Sequence, residues 1–182
     1  MFWLFKILLI VFSLVHFNGY SNPVESTDTN VLVSRELAET MVSGYMNLKD
    51  YSKALNYLSR HLKKDPTHGR AHFLKGEILV ALKKNQEAIK SYEEAIEQSS
   101  GIEKGLAYSQ IAIVYEMNDM QNEVKRNLEN AANVFQGASK NLYNQTQNNL
   151  VRLQQGEKLK PLNFNENSSS GSSDFSGIAS LK

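Results

Sequence analysis

Between residues 34 and 155 the apolar positions recur every three or four residues, the spacing of one face of an α-helix. The pattern is clearest over residues 71–98, AHFLKGEILVALKKNQEAIKSYEEAIEQ. Its first half sets Phe73, Gly76, Leu79, Val80 and Leu82 on one stripe, and its second half sets Ala88, Ile89, Tyr92, Ala95 and Ile96 on another. Lys84 and Asn85 form a short polar break between them. Two amphipathic stretches joined by so short a turn predict an antiparallel helical hairpin.

The hairpin recurs. Counting back 34 residues from Gly76, Leu79, Ala88, Tyr92 and Ala95 gives Val42, Tyr45, Ala54, Leu58 and His61. Counting forward 36 gives Ala112, Tyr115, Val124, Leu128 and Ala131. Small residues such as Gly76, Ala88, Ala95 and Ala112 let two helices approach closely, while the bulky partners fill the remaining gaps. Pro66 cannot continue a helix and biases Asp65 away from helical geometry, so it ends the second helix of the first unit. The two extra residues before the third unit are placed in the connection Ser99-Ser100-Gly101.

This order of small and bulky positions resembles the tetratricopeptide repeat, a helical hairpin of about 34 residues. Val42 and His61 are larger than the family usual at their positions, and the third unit lacks the closing proline. The resemblance implies an all-α fold: an antiparallel helix-hairpin solenoid of about three repeats, near 35–68, 69–102 and 105–137. After a turn at Gly137, a helix over 138–155 carries Leu142, Tyr143, Leu150 and Leu153 on an otherwise Asn- and Gln-rich surface. Such a helix suits the cap that a solenoid needs where its last packing face meets water.

The flanks read differently. Residues 7–17 are apolar apart from Ser13 and His16, and Lys6 precedes them. That run suits a secretory signal, with cleavage after Ser21 and the small residues Gly19 and Ser21 at the recognition subsites. Counted from Phe2, it also suits an uncleaved anchor. Residues 22–33 read as a polar linker, with Val31–Val33 at the edge of the first helix. Residues 156–182 hold seven serines and little apolar surface, which predicts a disordered tail.

Composition narrows the chemistry. Twenty Lys and Arg against 19 Asp and Glu leave a net charge of +1, which favours neither nucleic acid nor an anionic surface as partner. No cysteine occurs, so disulfides, thiolate metal sites and a Cys nucleophile are excluded within this sequence. His68 and His72 stand four apart, but no Glu follows His68 and no third ligand is apparent, so no metal is expected. His61 is expected to pack or hydrogen-bond between helices. No nucleophile elbow or phosphate loop appears, so neither catalysis nor a cofactor is expected. The sequons Asn144-Gln-Thr146 and Asn167-Ser-Ser169 are weak signals in an Asn-rich chain.

The remaining chemistry is surface. In tetratricopeptide-repeat proteins the first helices of successive repeats line a groove that receives a peptide or a helix. Carried onto this chain, the resemblance implies Glu39, Ser43, Met46 and Asn47 from repeat one. It implies Phe73, Glu77 and Val80 from repeat two, and Ser109, Ile113, Glu116 and Met117 from repeat three. The positions that clamp a C-terminal carboxylate in some members are Ser43, Phe73, Glu77 and Ile113 here, which argues against that subclass. The expected function is a non-catalytic adaptor of the periplasm or cell envelope that binds another protein or peptide. The alternative is a membrane-anchored assembly factor for an envelope machine such as a pilus or secretion system.

Overall fold

The computed structural model describes residues 24–163, and the expected signal or anchor over residues 1–21 lies outside them. Seven helices and no strand occur among the described residues: α1 (Val24–Asn47), α2 (Tyr51–Lys64), α3 (Gly69–Ala81), α4 (Asn85–Gln98), α5 (Gly101–Glu116), α6 (Gln121–Ala138) and α7 (Lys140–Gln154). The chain divides into two units, 1–36 and 37–182. In the first, the described residues 24–36 are helical, so the expected linker over 22–33 gives way to helix from Val24. No proline interrupts Val24–Asn47, and nothing in this polar stretch ends a helix. No described helix is long and apolar enough to cross a membrane.

In the second unit consecutive helices pack in pairs, α3 on α4 and α5 on α6, with α4 against α5 and α6 against α7. The repeat is written into the backbone. Lys49, Lys83 and Asp119 are the described non-glycine residues at positive φ, at 57°, 60° and 56°. They are separated by the same 34 and 36 residues as the side-chain pattern. Each follows the first helix of its pair and closes the same turn. The next residue donates its N–H to the carbonyl of Tyr45, Leu79 or Tyr115 at 2.9, 2.8 and 3.1 Å. This is the left-handed cap that satisfies the last carbonyls of a helix. At the start of α2, Asp50 accepts from the Lys53 N–H at 3.2 Å. Hydrogen bonds from the Lys53 side chain and backbone hold the Asp50 carboxyl below its ordinary range.

The two inserted residues lengthen α5. Gly69 opens α3, and its counterpart 36 residues on, Gly105, lies one turn inside α5, which starts at Gly101. A Cβ on Gly76 would meet the Tyr92 ring at 2.5 Å, and one on Gly105 would strike the Phe135 ring. Each glycine therefore sets how closely the two helices of its pair approach. Val42, Ala54, Leu58, Ala88, Ala95, Ala112, Val124, Leu128 and Ala131 are all buried. Gly137 stays inside α6. The turn falls at Ser139, whose backbone is extended and whose hydroxyl accepts from the Leu142 N–H at 3.4 Å.

Candidate functional site

The expected groove positions divide into two groups. Ser43, Asn47 and Met117 are exposed, and Glu39, Met46, Val80, Ile113 and Glu116 are half-buried. Phe73, Glu77 and Ser109 are core residues, only 6%, 7% and 5% exposed. The expected exposed aromatic anchor at position 73 is thus corrected. The Phe73 ring packs against Tyr92 with centroids 5.5 Å apart, and the Arg70 guanidinium covers it at 5.1 Å. Ser109 donates to the Gly105 carbonyl at 3.1 Å, satisfying its hydroxyl within its own helix.

Arg70 ties this end of the molecule together. Its Nε lies 4.0 Å from Glu39 Oε2 on α1, and its charge reaches Glu77 about two helical turns further along α3. Burial raises the Glu77 carboxyl from its ordinary 4.5 to about 7, and Arg70 only partly opposes the shift. Glu77 Oε2 is buried without a hydrogen-bond partner. Burial also raises the Tyr92 phenol well above its ordinary value, with Glu77 contributing. Charge in this pocket is costly because protein replaces the water that would solvate it.

At the other end the chain after α7 does not run free as the sequence led us to expect. Residues 157–163 fold back antiparallel to α7 as an extended strap. Arg152 pairs with Glu157 at 2.6 Å, and its Nε donates to the Lys158 carbonyl at 2.8 Å. The Asn149 amide donates to the Lys160 carbonyl at 2.8 Å and accepts from the Lys160 N–H at 2.9 Å. Gln145, one turn away, makes the same pair of bonds with Asn163, at 2.8 and 2.7 Å. Glu116 on α5 accepts from the Leu159 N–H at 2.6 Å. Leu159 packs on the cluster of Ala112, Val124 and Leu128, and Leu162 on the larger cluster containing Leu106 and Leu142. The rest of the tail lies outside the described residues.

Two side-chain amides one turn apart, each bonded to both polar groups of one residue, read an extended backbone without reading its side chains. Among the expected groove residues, Glu116 takes part directly. Sequence reasoning missed Gln145, Asn149 and Arg152, whose i, i+4 and i+7 spacing on an Asn- and Gln-rich helix was the available signal. The histidines also part ways. His72 Nε2 donates to the Pro66 carbonyl at 2.8 Å, and its Nδ1 lies 2.9 Å from Glu94 Oε2. His68 faces His61 and Glu39 instead.

The family model of the tetratricopeptide repeat matches residues 40–101, the span from α1 through α4. Residues 40–101 thus carry tetratricopeptide repeats. The match covers the first two repeats, and the third follows from the recurring turn at Asp119 and the packing of α5 on α6. Tetratricopeptide repeats generally mediate protein–protein interaction and typically act as scaffolds, not catalysts. Comparison with curated proteins gives no match.

Proposed function

We propose that this tetratricopeptide-repeat protein is a non-catalytic adaptor that binds an extended peptide segment of another protein along α5 and α7. The observation that carries the reading is the strap. The pairs that Gln145 and Asn149 form with Asn163 and Lys160, with Glu116 on Leu159, constitute a backbone-reading surface already fitted to an extended chain. Apolar side chains of the bound segment supply the contact area, as in other extended-peptide recognition. A partner segment with two leucine-sized residues three apart matches what Leu159 and Leu162 present. The chain's own strap would compete with it.

The test compares the full chain with a form ending at Glu157 in selection from a displayed library of extended peptides. The shortened form is expected to select peptides with apolar residues three apart, and Gln145→Ala with Asn149→Ala to abolish the selection. A shortened form that is folded by circular dichroism yet selects nothing would overturn the reading.

The apolar run over 7–17 supports export to the periplasm or cell envelope. The second reading, an anchored assembly factor, draws on the same run counted from Phe2. N-terminal sequencing of the protein from its native envelope separates them: a start near Asn22 supports the free adaptor, and an intact Met1 the anchored factor.

A further inference from the structure

The turn between α2 and α3 gathers His61, Asp65 and His68, each offering one ligand atom, all within 4.8 Å of one another. His61 lies in the last turn of α2, Asp65 is its C-cap, and His68 is the N-cap of α3. Pro66 forces the break that brings the three round. The Asp65 N–H donates to the His61 carbonyl at 2.9 Å, and the His68 N–H to the Asp65 carbonyl at 3.4 Å. The spacing is therefore held by the backbone of one short turn.

The second observation is the hydrogen-bond order around His68, which is buried. Its Nε2 lies 3.0 Å from Glu39 Oε1, so Nε2 carries the proton and donates to the carboxylate. That leaves Nδ1 with its lone pair directed at His61 Nε2, 2.8 Å away. A carboxylate behind the far nitrogen of a histidine is the outer-shell arrangement that orients imidazole ligands of metals and raises their basicity. Asp65 has a comparable support, because the Thr67 hydroxyl donates to its Oδ1 at 3.0 Å.

We infer that His61 Nε2, His68 Nδ1 and the Asp65 carboxylate form a zinc site that clasps the α2–α3 turn, with Glu39 on α1 as its outer-shell partner. Two imidazoles and a carboxylate suit zinc, which binds nitrogen and oxygen at about 2.0–2.2 Å in a tetrahedron. Ligand atoms of such a site stand roughly 3.4 Å apart. The two rings would separate slightly and Asp65 would close in, with water in the fourth position. The proton now shared between the rings would move to His61 Nδ1 or to solvent, as metal binding requires an unprotonated ligand atom.

The experiment uses the full chain purified without a histidine tag and stripped with chelator. Cobalt(II) is added first, then zinc. The expected result is equimolar cobalt uptake with the visible absorption of tetrahedral coordination, displacement of those bands by zinc, and a higher Tm with zinc. His61→Asn and Asp65→Asn should lose the bands. Glu39→Gln should weaken zinc binding about 10–100-fold while keeping the bands at saturating cobalt. His72→Asn should bind as the wild type does. Absence of both the bands and the Tm shift in the wild-type chain overturns the inference without reference to any variant. So does uptake that survives His61→Asn or is lost in His72→Asn, or a zinc affinity that is unchanged in Glu39→Gln.

Discussion

Repeat two and the third-repeat end meet the same family geometry with opposite results. In α3, Phe73 and Glu77 turn into the core, sealed by Tyr92 and Arg70, so that positions expected to recognise a partner hold the repeat together. At the end of α5, the half-buried Glu116 turns its carboxylate to the Leu159 N–H, and the neighbouring α7 offers Gln145 and Asn149 to the same backbone strap. A groove position is thus not a fixed role. Its fate depends on whether the next helix supplies a ring to bury it or leaves it beside water.

The sharpest way to break the comparison is to attack the packing of repeat two. Ala88→Glu places an unpaired charge and added bulk where exposure is zero, and should cost roughly 5 kcal/mol or more. Urea unfolding measures it, and a midpoint close to wild type would remove the packed-repeat account. Phe73→Ala should cost about 3–4 kcal/mol, as a large buried ring is lost and a cavity remains. If the variant melts like wild type, Phe73 is a surface residue after all and the contrast between the two ends collapses.

Glu77 gives a pH signature. Its folded value of about 7 exceeds the ordinary 4.5, so between these values the folded chain holds a proton that the unfolded chain has lost. The contribution of Glu77 to stability is therefore greatest below about 4.5, falls as pH rises to about 7, and levels above it. The full difference is about 3 kcal/mol, and Glu77→Gln should flatten it, gaining most at pH above 7. The measurement is Tm against pH for both proteins. Parallel profiles would show that Glu77 is solvated.

The smallest effects belong to the strap. Asn149→Ala or Gln145→Ala removes two hydrogen bonds at a partly solvated edge and should cost about 1 kcal/mol. Amide exchange at Lys160 and Asn163 should accelerate in step. Protection that persists in the double variant would show that Leu159 and Leu162 alone hold the strap, and would sharpen the site to its apolar contacts.

The local pattern determined the helical hairpins, their offsets of 34 and 36 residues, and the small positions Gly76, Ala88 and Ala112 that let helices close. These depend on residue size and helical period, which a linear sequence records directly. The break at Asp65-Pro66 was legible for the same reason, because proline acts on its immediate neighbours. Tertiary structure alone decided the burial of Phe73 and Glu77, since a position on a helix face does not say which ring from α4 will lie over it. It alone brought His61, Asp65 and His68 to one turn with Glu39 from another helix behind them. It also turned residues 157–163, which look like the start of a polar tail, into an ordered strap. Two leucines and a row of main-chain amides suffice there because Asn149, Gln145 and Glu116 satisfy polar groups that water would otherwise hold.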